Sequence, residues 1–307
     1  MIAKPKRRLW KKPLDYNKQA EIDLHIHSSA SDGTLSPEEI VQRASEIGLK
    51  AFSITDHDTL EGARKALKSG IPKHIDFIPG VEISTAFPPD AGYLGSCHIL
   101  GYGIRLDDSR LNDTLTRLQK ARKNRNPGII HQLNALNIPL TLGDIPGGAT
   151  ETGIGRPHIA RAMVERGFAR SIDEAFDQYL GFGKPAYIEK YKADCSKAIE
   201  TIIHAGGVAV LAHPGLLNPH RGAPFEDFIG YLKSQGLSGM EVYYSEHSPE
   251  EEDYFKRIAA KHHLLMTGGT DFHGDIRPDI QMGSGQGNLH IPYSIYRDLT
   301  RALSKPH

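Results

Sequence analysis

Two histidines two residues apart, His25 and His27, close the apolar run DLHIH, and Asp32 follows five residues later in a Ser- and Gly-rich turn. Residues of the same kind recur after other apolar runs. They are Asp56, His57 and Asp58 in TDHD, Glu82 in PGVEIS, His98 in CHILGYG, His213 in LAHPG, Glu241 in GMEVYY, and Asp271 and His273 in GGTDFHG. Taken singly, each has an ordinary reading: a satisfied histidine, a capping aspartate, a strand that ends at His-Pro. Together they put imidazole and carboxylate at the end of almost every apolar segment. That mixture without thiolate suits zinc, manganese or iron and argues against copper(I) or an iron–sulfur cluster. It is also more than one ion can use, and around a single ion the surplus carboxylates would crowd one another. Residues two apart in a strand face the same side, so His25 and His27 can grip one ion together.

The segments that must position these groups alternate in type. EIDLHIH, KAFSITDHD, IDFIPGVEIST, SCHILGYGI, VAVLAHP, GMEVYYS and LLMTGGTDFHG read as strands. Between them lie helical stretches such as SPEEIVQRASEIG, with Ser36 as N-cap, Pro37 at the first position, Glu39 as capping-box partner and Gly48 as stop. From 107 to 195 the rhythm changes to mainly helical segments (LNDTLTRLQKARKNRN, GRPHIARAMVERG, SIDEAFDQYLG), with IPLTL the one strand-like interruption. The pattern predicts an α/β fold of βαβ units with a parallel sheet. More finely, it predicts a distorted (β/α)7 barrel carrying an inserted helical subdomain. The expected organisation is a basic arm over 1–20, a catalytic barrel over 21–106 and 196–307, and a helical lid over 107–195. In such a barrel the strand C-termini converge on one face, where chemistry is placed.

At this point a resemblance becomes specific. DLHIHSSASDG, ITDHDT, PGVEIS, CHILGYG, LAHPG and GGTDFHG, in that order across residues 21 to 275, resemble the motifs of the polymerase-and-histidinol-phosphatase (PHP) family of metal-dependent phosphoesterases. The resemblance implies nine metal ligands: His25, His27, Asp32, His57, Glu82, His98, His213, Asp271 and His273. It implies one ion on His25, His27, Glu82 and Asp271, a second on Glu82, His98 and His213, and a third on Asp32, His57 and His273. The cofactors expected are two to three divalent ions, manganese first and zinc or iron as alternatives. Glu82 would bridge two of them and hold the hydroxide that attacks phosphorus. Asp58 and Glu241 are candidates for the general acid by position only, and caps or supporting partners of the ligands are the alternative for each.

TGIGRPHIARAMVERG and YLGFGKPAYI resemble the branch of that family that hydrolyses nucleoside 3′,5′-bisphosphates and trims 5′ ends of short RNA. Arg156 and His158 at a helix start are therefore expected to bind substrate phosphate, with Lys184 a further candidate and Arg277 similar. The competing readings are a histidinol-phosphate-type phosphatase and a nucleic-acid-binding module whose metals only hold its loops. No G-x-S-x-G elbow and no P-loop Lys-Ser/Thr is present.

Composition bounds the rest. The chain has 307 residues, with 37 basic and 37 acidic side chains, so its overall charge gives no case for a bulk polyanion binder. Residues 4–18 nevertheless hold seven Lys or Arg against one Asp, either a solvated terminus or an arm that touches phosphate. No apolar signal core and no membrane-length run is visible, and Cys97 and Cys195 read as ordinary buried residues. A cytoplasmic enzyme is expected, acting on a nucleotide or short RNA, without a membrane or an obligate protein partner.

Overall fold

Strands and helices alternate in the computed structural model much as the sequence spacing requires. It describes residues 21–95, 97–145, 154–219 and 224–304. The basic arm and most of the glycine-rich stretch before Ile154 lie outside the described residues. The chain begins with β1 (Ile22–Ile26), α1 (Pro37–Glu46), β2 (Ala51–Ile54), α2 (Glu61–Ser69), β3 (Asp76–Phe77), β4 (Gly80–Ala86), β5 (Tyr93–Leu94) and β6 (Cys97–Tyr102). The helical block follows as α3 (Ser109–Ala135), α4 (Arg156–Glu165) and α5 (Ile172–Ala175). Then come β7 (Ala193–Asp194), α6 (Cys195–His204), β8 (Val208–Leu211), β9 (Asn218–Pro219), α7 (Phe225–Ser234), β10 (Gly239–Tyr244), α8 (Pro249–Lys261), β11 (Leu265–Gly269) and α9 (Tyr293–Leu303). The capping box of α1 forms as its sequence requires: Glu39 N donates to Ser36 Oγ and Ser36 N to the Glu39 carboxylate.

One sheet has the order β1-β2-β3, a second β11-β10-β8-β6-β4-β7, and β5 with β9 makes a two-stranded ribbon. The expectation of an all-parallel sheet fails at β6, which runs antiparallel to both β4 and β8. Only residues 87–96 separate β4 from β6, too few for the helical crossover that a parallel neighbour needs. Reversal puts the first turn of β6, and therefore His98, at the end of the sheet where the other strands finish.

The two larger sheets do not join in one continuous ladder. They meet at two seams, where Ile26 bridges Phe272 and His57 bridges Glu82. Asp271 N donates to His25 O (2.8 Å) and Asp58 N to Glu82 O (2.9 Å) across them. Both seams lie at residues expected to do chemistry. Irregular register in the β1–β2 and β10–β11 ladders falls beside His25 and Glu241, as bulges near active sites do.

Behind the sheet, Ile83, Ile99, Leu211 and Met240 pack with Ile199 of α6 and Phe228 of α7. The helical block has its own apolar cluster, including Ile129, Leu133, Ile159, Met163 and Leu180. The helix read over LNDTLTRLQKARKNRN continues through Pro127 to Ala135. Pro127 removes one helical donor, but the buried Ile129 and Leu133 beyond it keep the last turns packed. IPLTL is no strand: Ile138 and Leu140 are buried in the block, and a 3-10 turn begins at Leu142.

Candidate metal centre and cationic cleft

His25 and His27 emerge from β1 on the same side, fully buried, with ring centroids 5.2 Å apart. The loop after them folds tightly because Asp56 accepts Ser28 N (2.7 Å), Ser28 Oγ (2.6 Å) and Ser31 Oγ (2.6 Å). A Cβ at Gly33 would lie 2.2 Å from His27 O, so only glycine permits the turn that brings Asp32 back to the histidines. Asp23 fastens the opposite loop by accepting Thr270 N (2.9 Å), Thr270 Oγ1 (2.6 Å) and Gly283 N (2.8 Å). Asp58, His213 and Asp271 adopt positive φ (56°, 27° and 56°), so backbone strain is concentrated at these strand ends.

The side chains converge in three overlapping groups: His25, His27, Glu82 and Asp271; His27, Asp32, His57 and His273; and His57, Glu82 and His98. His213 joins at Glu82, its Nε2 2.9 Å from Glu82 Oε1 and 3.2 Å from His98 Nδ1. All nine residues named by the resemblance thus stand in one cluster, with His27, His57 and Glu82 each shared by two groups. The contacts are short, such as His27 Nε2 to Asp271 Oδ1 at 3.0 Å and His273 Nε2 to Asp32 Oδ1 at 3.3 Å. Yet His25 Nε2, His27 Nε2, Asp32 Oδ1, His57 Nδ1 and Glu82 Oε2 are buried without a hydrogen-bond partner. These atoms lie close together but do not point at one another. Ligands about 2.1 Å from a shared divalent ion stand about 3.0–3.4 Å apart in this way, so the donor set fits such ions.

The electrostatics agree. Burial opposes ionisation of Glu82, but His57, His98 and His25 together hold its carboxyl well below the usual range. Burial likewise works against charge on His27, yet the Asp271 and Glu82 carboxylates beside it push it up to about 10. Burial, with His57 and His213 nearby, outweighs the pull of Glu82 and lowers His98 to about 4. The carboxylates that draw protons to this cluster would also draw cations, which displace them.

Glu241 is not placed to give a proton to a substrate. Fully buried, it accepts from His25 Nδ1 (3.0 Å) and from His213 N (2.8 Å). That fixes the His25 proton on Nδ1 and turns Nε2 toward the cluster. Glu241→Gln is expected to weaken metal binding by about 10–100-fold with the fold intact, measured by chelator competition.

Asp58 is not the acid either. Its carboxylate accepts from Arg122 (2.8 Å), Lys190 (3.2 Å), Ser84 N (2.8 Å) and Ser84 Oγ (3.0 Å). Burial pushes its carboxyl up, but Lys190 and Arg122 prevail and hold it far below the usual range, so it has no proton to give. Asp58→Asn leaves two buried cations uncompensated, and we expect a stability loss of about 3–5 kcal/mol by thermal melting. The acid limb of the pH–rate profile should not move.

Beside the cluster lies a cleft of about 180 Å³, reached by Asp32, His57 and His98 and lined by Arg122, Arg125, Arg156, Lys190 and Lys192. The Arg156 guanidinium sits over the rings of Phe176 (5.5 Å) and Tyr187 (5.4 Å) and donates to Leu180 O (3.0 Å). Asp58 pairs with two of the cations and Glu189 with Lys192 (2.8 Å). Among the described residues Arg125 has no acidic partner: only 8% exposed, it reaches Asn126 Oδ1 at 3.3 Å, and its Nε is unsatisfied. Burial, then the charges of Arg122 and Arg156, lower it to about 9.

The other expected substrate residues are placed differently. His158 turns back on its helix start, where Gly155 N donates to its Nδ1 (3.1 Å), and it does not line the cleft. Lys184 is exposed and outside the cleft lining. Arg277 is held by Glu246 (2.8 Å) and Asp279 (3.5 Å).

Comparison with known proteins follows the same line. The PHP domain matches residues 23–205, and the chain belongs to that family. It is a metal-dependent phosphoesterase. It is 34% identical over 273 residues to the 5′-3′ exoribonuclease Rnm of Escherichia coli, covering 88% of this chain and 90% of that protein. It is 31% identical over 288 residues to a 3′,5′-nucleoside bisphosphate phosphatase of Chromobacterium violaceum, covering 94% and 99%. Among solved structures it is similar to one described as an amidohydrolase of Chromobacterium violaceum with bound sulfate and no metal. The TM-score there is 0.79 and identity 30%, over 92% of this chain and 96% of that one. No helix among the described residues is long and apolar enough to cross a membrane.

Proposed function

We propose that the protein hydrolyses phosphate monoesters of nucleotides bearing a second phosphate, most directly the 3′-phosphate of nucleoside 3′,5′-bisphosphates, with 5′ ends of short RNA as a further substrate. The observation that carries this is the cationic cleft joined to the cluster: the histidines and carboxylates offer a place for one phosphoryl group, and Arg125, Arg156 and Lys190 line a place for a second anion. The names of the two relatives support it, one acting on a bisphosphate and one on RNA.

His25, His27, Asp32, His57, Glu82, His98, His213, Asp271 and His273 would hold two to three divalent ions, with manganese the ion we favour over zinc or iron. Such ions neutralise charge on the phosphoryl oxygens and supply an acidified water. Glu82 keeps the imidazoles of two strands and two loops in one arrangement. Glu241 and Asp56 hold His25 and the Asp32 loop in place. Asp58 sets Arg122 and Lys190 at the cleft. Arg156, steadied by two aromatic faces, presents its guanidinium to the second phosphate.

We read residues 107–195 as a lid that supplies these cations and 21–106 with 196–307 as the catalytic part, a distorted seven-stranded barrel broken at the two seams. A cytoplasmic location and the absence of an obligate partner belong to the same reading.

Lys190 gives this reading a pH signature. Burial and the neighbouring arginines lower it to about 8 from its ordinary 10.5, against the pull of Asp58. Because folding depresses this lysine, its contribution to stability grows as pH rises from about 8 toward 10.5. Anion binding moves the other way. The kcat/KM on a bisphosphate is expected to fall through about pH 8, and Lys190→Arg should carry it to higher pH.

A substrate panel tests the proposal: adenosine 3′,5′-bisphosphate, a 5′-phosphorylated RNA trimer and histidinol phosphate, each with manganese-loaded protein. Turnover of histidinol phosphate alone would reject the nucleotide reading.

A further inference from the structure

We propose that Cys97 and Cys195 are a redox modification site, a pair of thiols that joins reversibly as a disulfide and acts on the metal cluster through His98. They are the chain's only cysteines and lie 98 residues apart in sequence. Yet β4 brings them together, since Thr85 pairs with Cys97 in the antiparallel ladder and with Ala193 in the parallel one. Both are buried, with Sγ atoms 3.0 Å apart, about 1 Å more than the bonded separation of ~2.05 Å. Thr85 Oγ1 lies 2.9 Å from Cys97 Sγ and 3.3 Å from Cys195 Sγ, and Cys195 Sγ donates to Ala86 O (3.0 Å). Neither thiol belongs to the cluster or the cleft.

The hydrogen bond with Cys97 lowers the Cys195 thiol against the opposing effect of burial, and its place at the start of α6 favours thiolate as well. The oxidant is a small peroxide. The Cys195 thiolate attacks peroxide oxygen, the O–O bond breaks, and sulfenic acid forms with hydroxide leaving. Cys97 sulfur then attacks Cys195 sulfur, its proton passes to the departing oxygen, and water leaves. The balance is two thiols and one hydrogen peroxide giving one disulfide and two waters. Closing the last ångström pulls on the backbone of Cys97, whose next residue, His98, holds Nδ1 2.7 Å from Glu82 Oε1. Displacements of that order in a supporting residue lower catalysis by about 10–100-fold. The new bond also closes the loop that carries the whole helical block, which stabilises the fold against heat.

The test treats manganese-loaded protein with hydrogen peroxide and quenches with catalase. Three readouts follow: intact mass, thiol labelling in denaturant, and melting temperature beside phosphoesterase turnover. We expect loss of two hydrogens, no labelling until dithiothreitol is added, a melting point several degrees higher, and activity reduced at least ~10-fold but restored by dithiothreitol. Cys195→Ser, treated alike, should show none of these changes. Thiols that remain titratable, or that gain oxygen without joining, would overturn the site. A disulfide without loss of activity would overturn its link to His98. Mass and labelling on the unsubstituted protein decide the matter even if the variant folds poorly or the nucleotide substrate is wrong.

Discussion

Replacing Glu82 with glutamine is expected to reduce phosphoesterase turnover by about 10³-fold or more and to empty most of the bound metal, without unfolding the protein. Glu82 stands among five histidines. Its two oxygens lie 2.7 Å from His98, 2.9 Å from His57 and from His213, 3.1 Å from His27 and 3.4 Å from His25. Glutamine keeps the volume, so the packing of β4 survives. It removes the charge, however, and turns an amide N–H toward nitrogens that should face cations. Metal content by elemental analysis and turnover at saturating manganese read the two effects. A glutamine variant that retains its metal and its rate would show that Glu82 only braces the sheet.

Arg125→Met should separate stability from affinity, because the two move in opposite directions. A buried guanidinium without an acidic partner costs the free protein, so methionine is expected to raise stability by about 1–3 kcal/mol and the melting point with it. The same change removes a desolvated donor pair from the second anion. The kcat/KM for a bisphosphate is therefore expected to fall by about 10²-fold, while a phosphate monoester lacking the second anion changes less than about threefold. A parallel fall on both substrates would mean that Arg125 serves the fold or the cluster, not the second phosphate.

The cluster was legible in the sequence because most of its histidines and carboxylates close short apolar runs, and strand ends gather in space whatever the detail of the sheet. The direction of β6 was not legible in the motif CHILGYG. It follows from the short connection after β4, which was in plain view but was not used to set the pairing. Arg122 and Arg125 were missed for a different reason. They continue the buried stripe Leu111, Leu115, Leu118, Ile129 and Leu133 of α3, where helical spacing calls for apolar residues. Charge on the buried face of a helix was the available signal, and LNDTLTRLQKARKNRN was read for its helical character alone. Asp58 was a candidate proton donor by position only, and the cations that hold it come from α3 and from Lys190, both remote in sequence. Lys184 was named from GFGKPAYI, and Lys190 and Lys192 a little further on were not. Facing direction in an irregular segment is set by tertiary packing, which that spacing does not encode.

The most direct measurement is phosphate release by metal-stripped protein from adenosine 3′,5′-bisphosphate and from adenosine 3′-monophosphate, before and after manganese is restored. The expected result is no release without metal, release after restoration, and a kcat/KM at least ~100-fold higher for the bisphosphate. Equal rates on the two nucleotides would contradict the role of the cationic cleft. Release that persists in the stripped protein, or none from either nucleotide after restoration, would contradict the metal-centred nucleotide phosphatase itself.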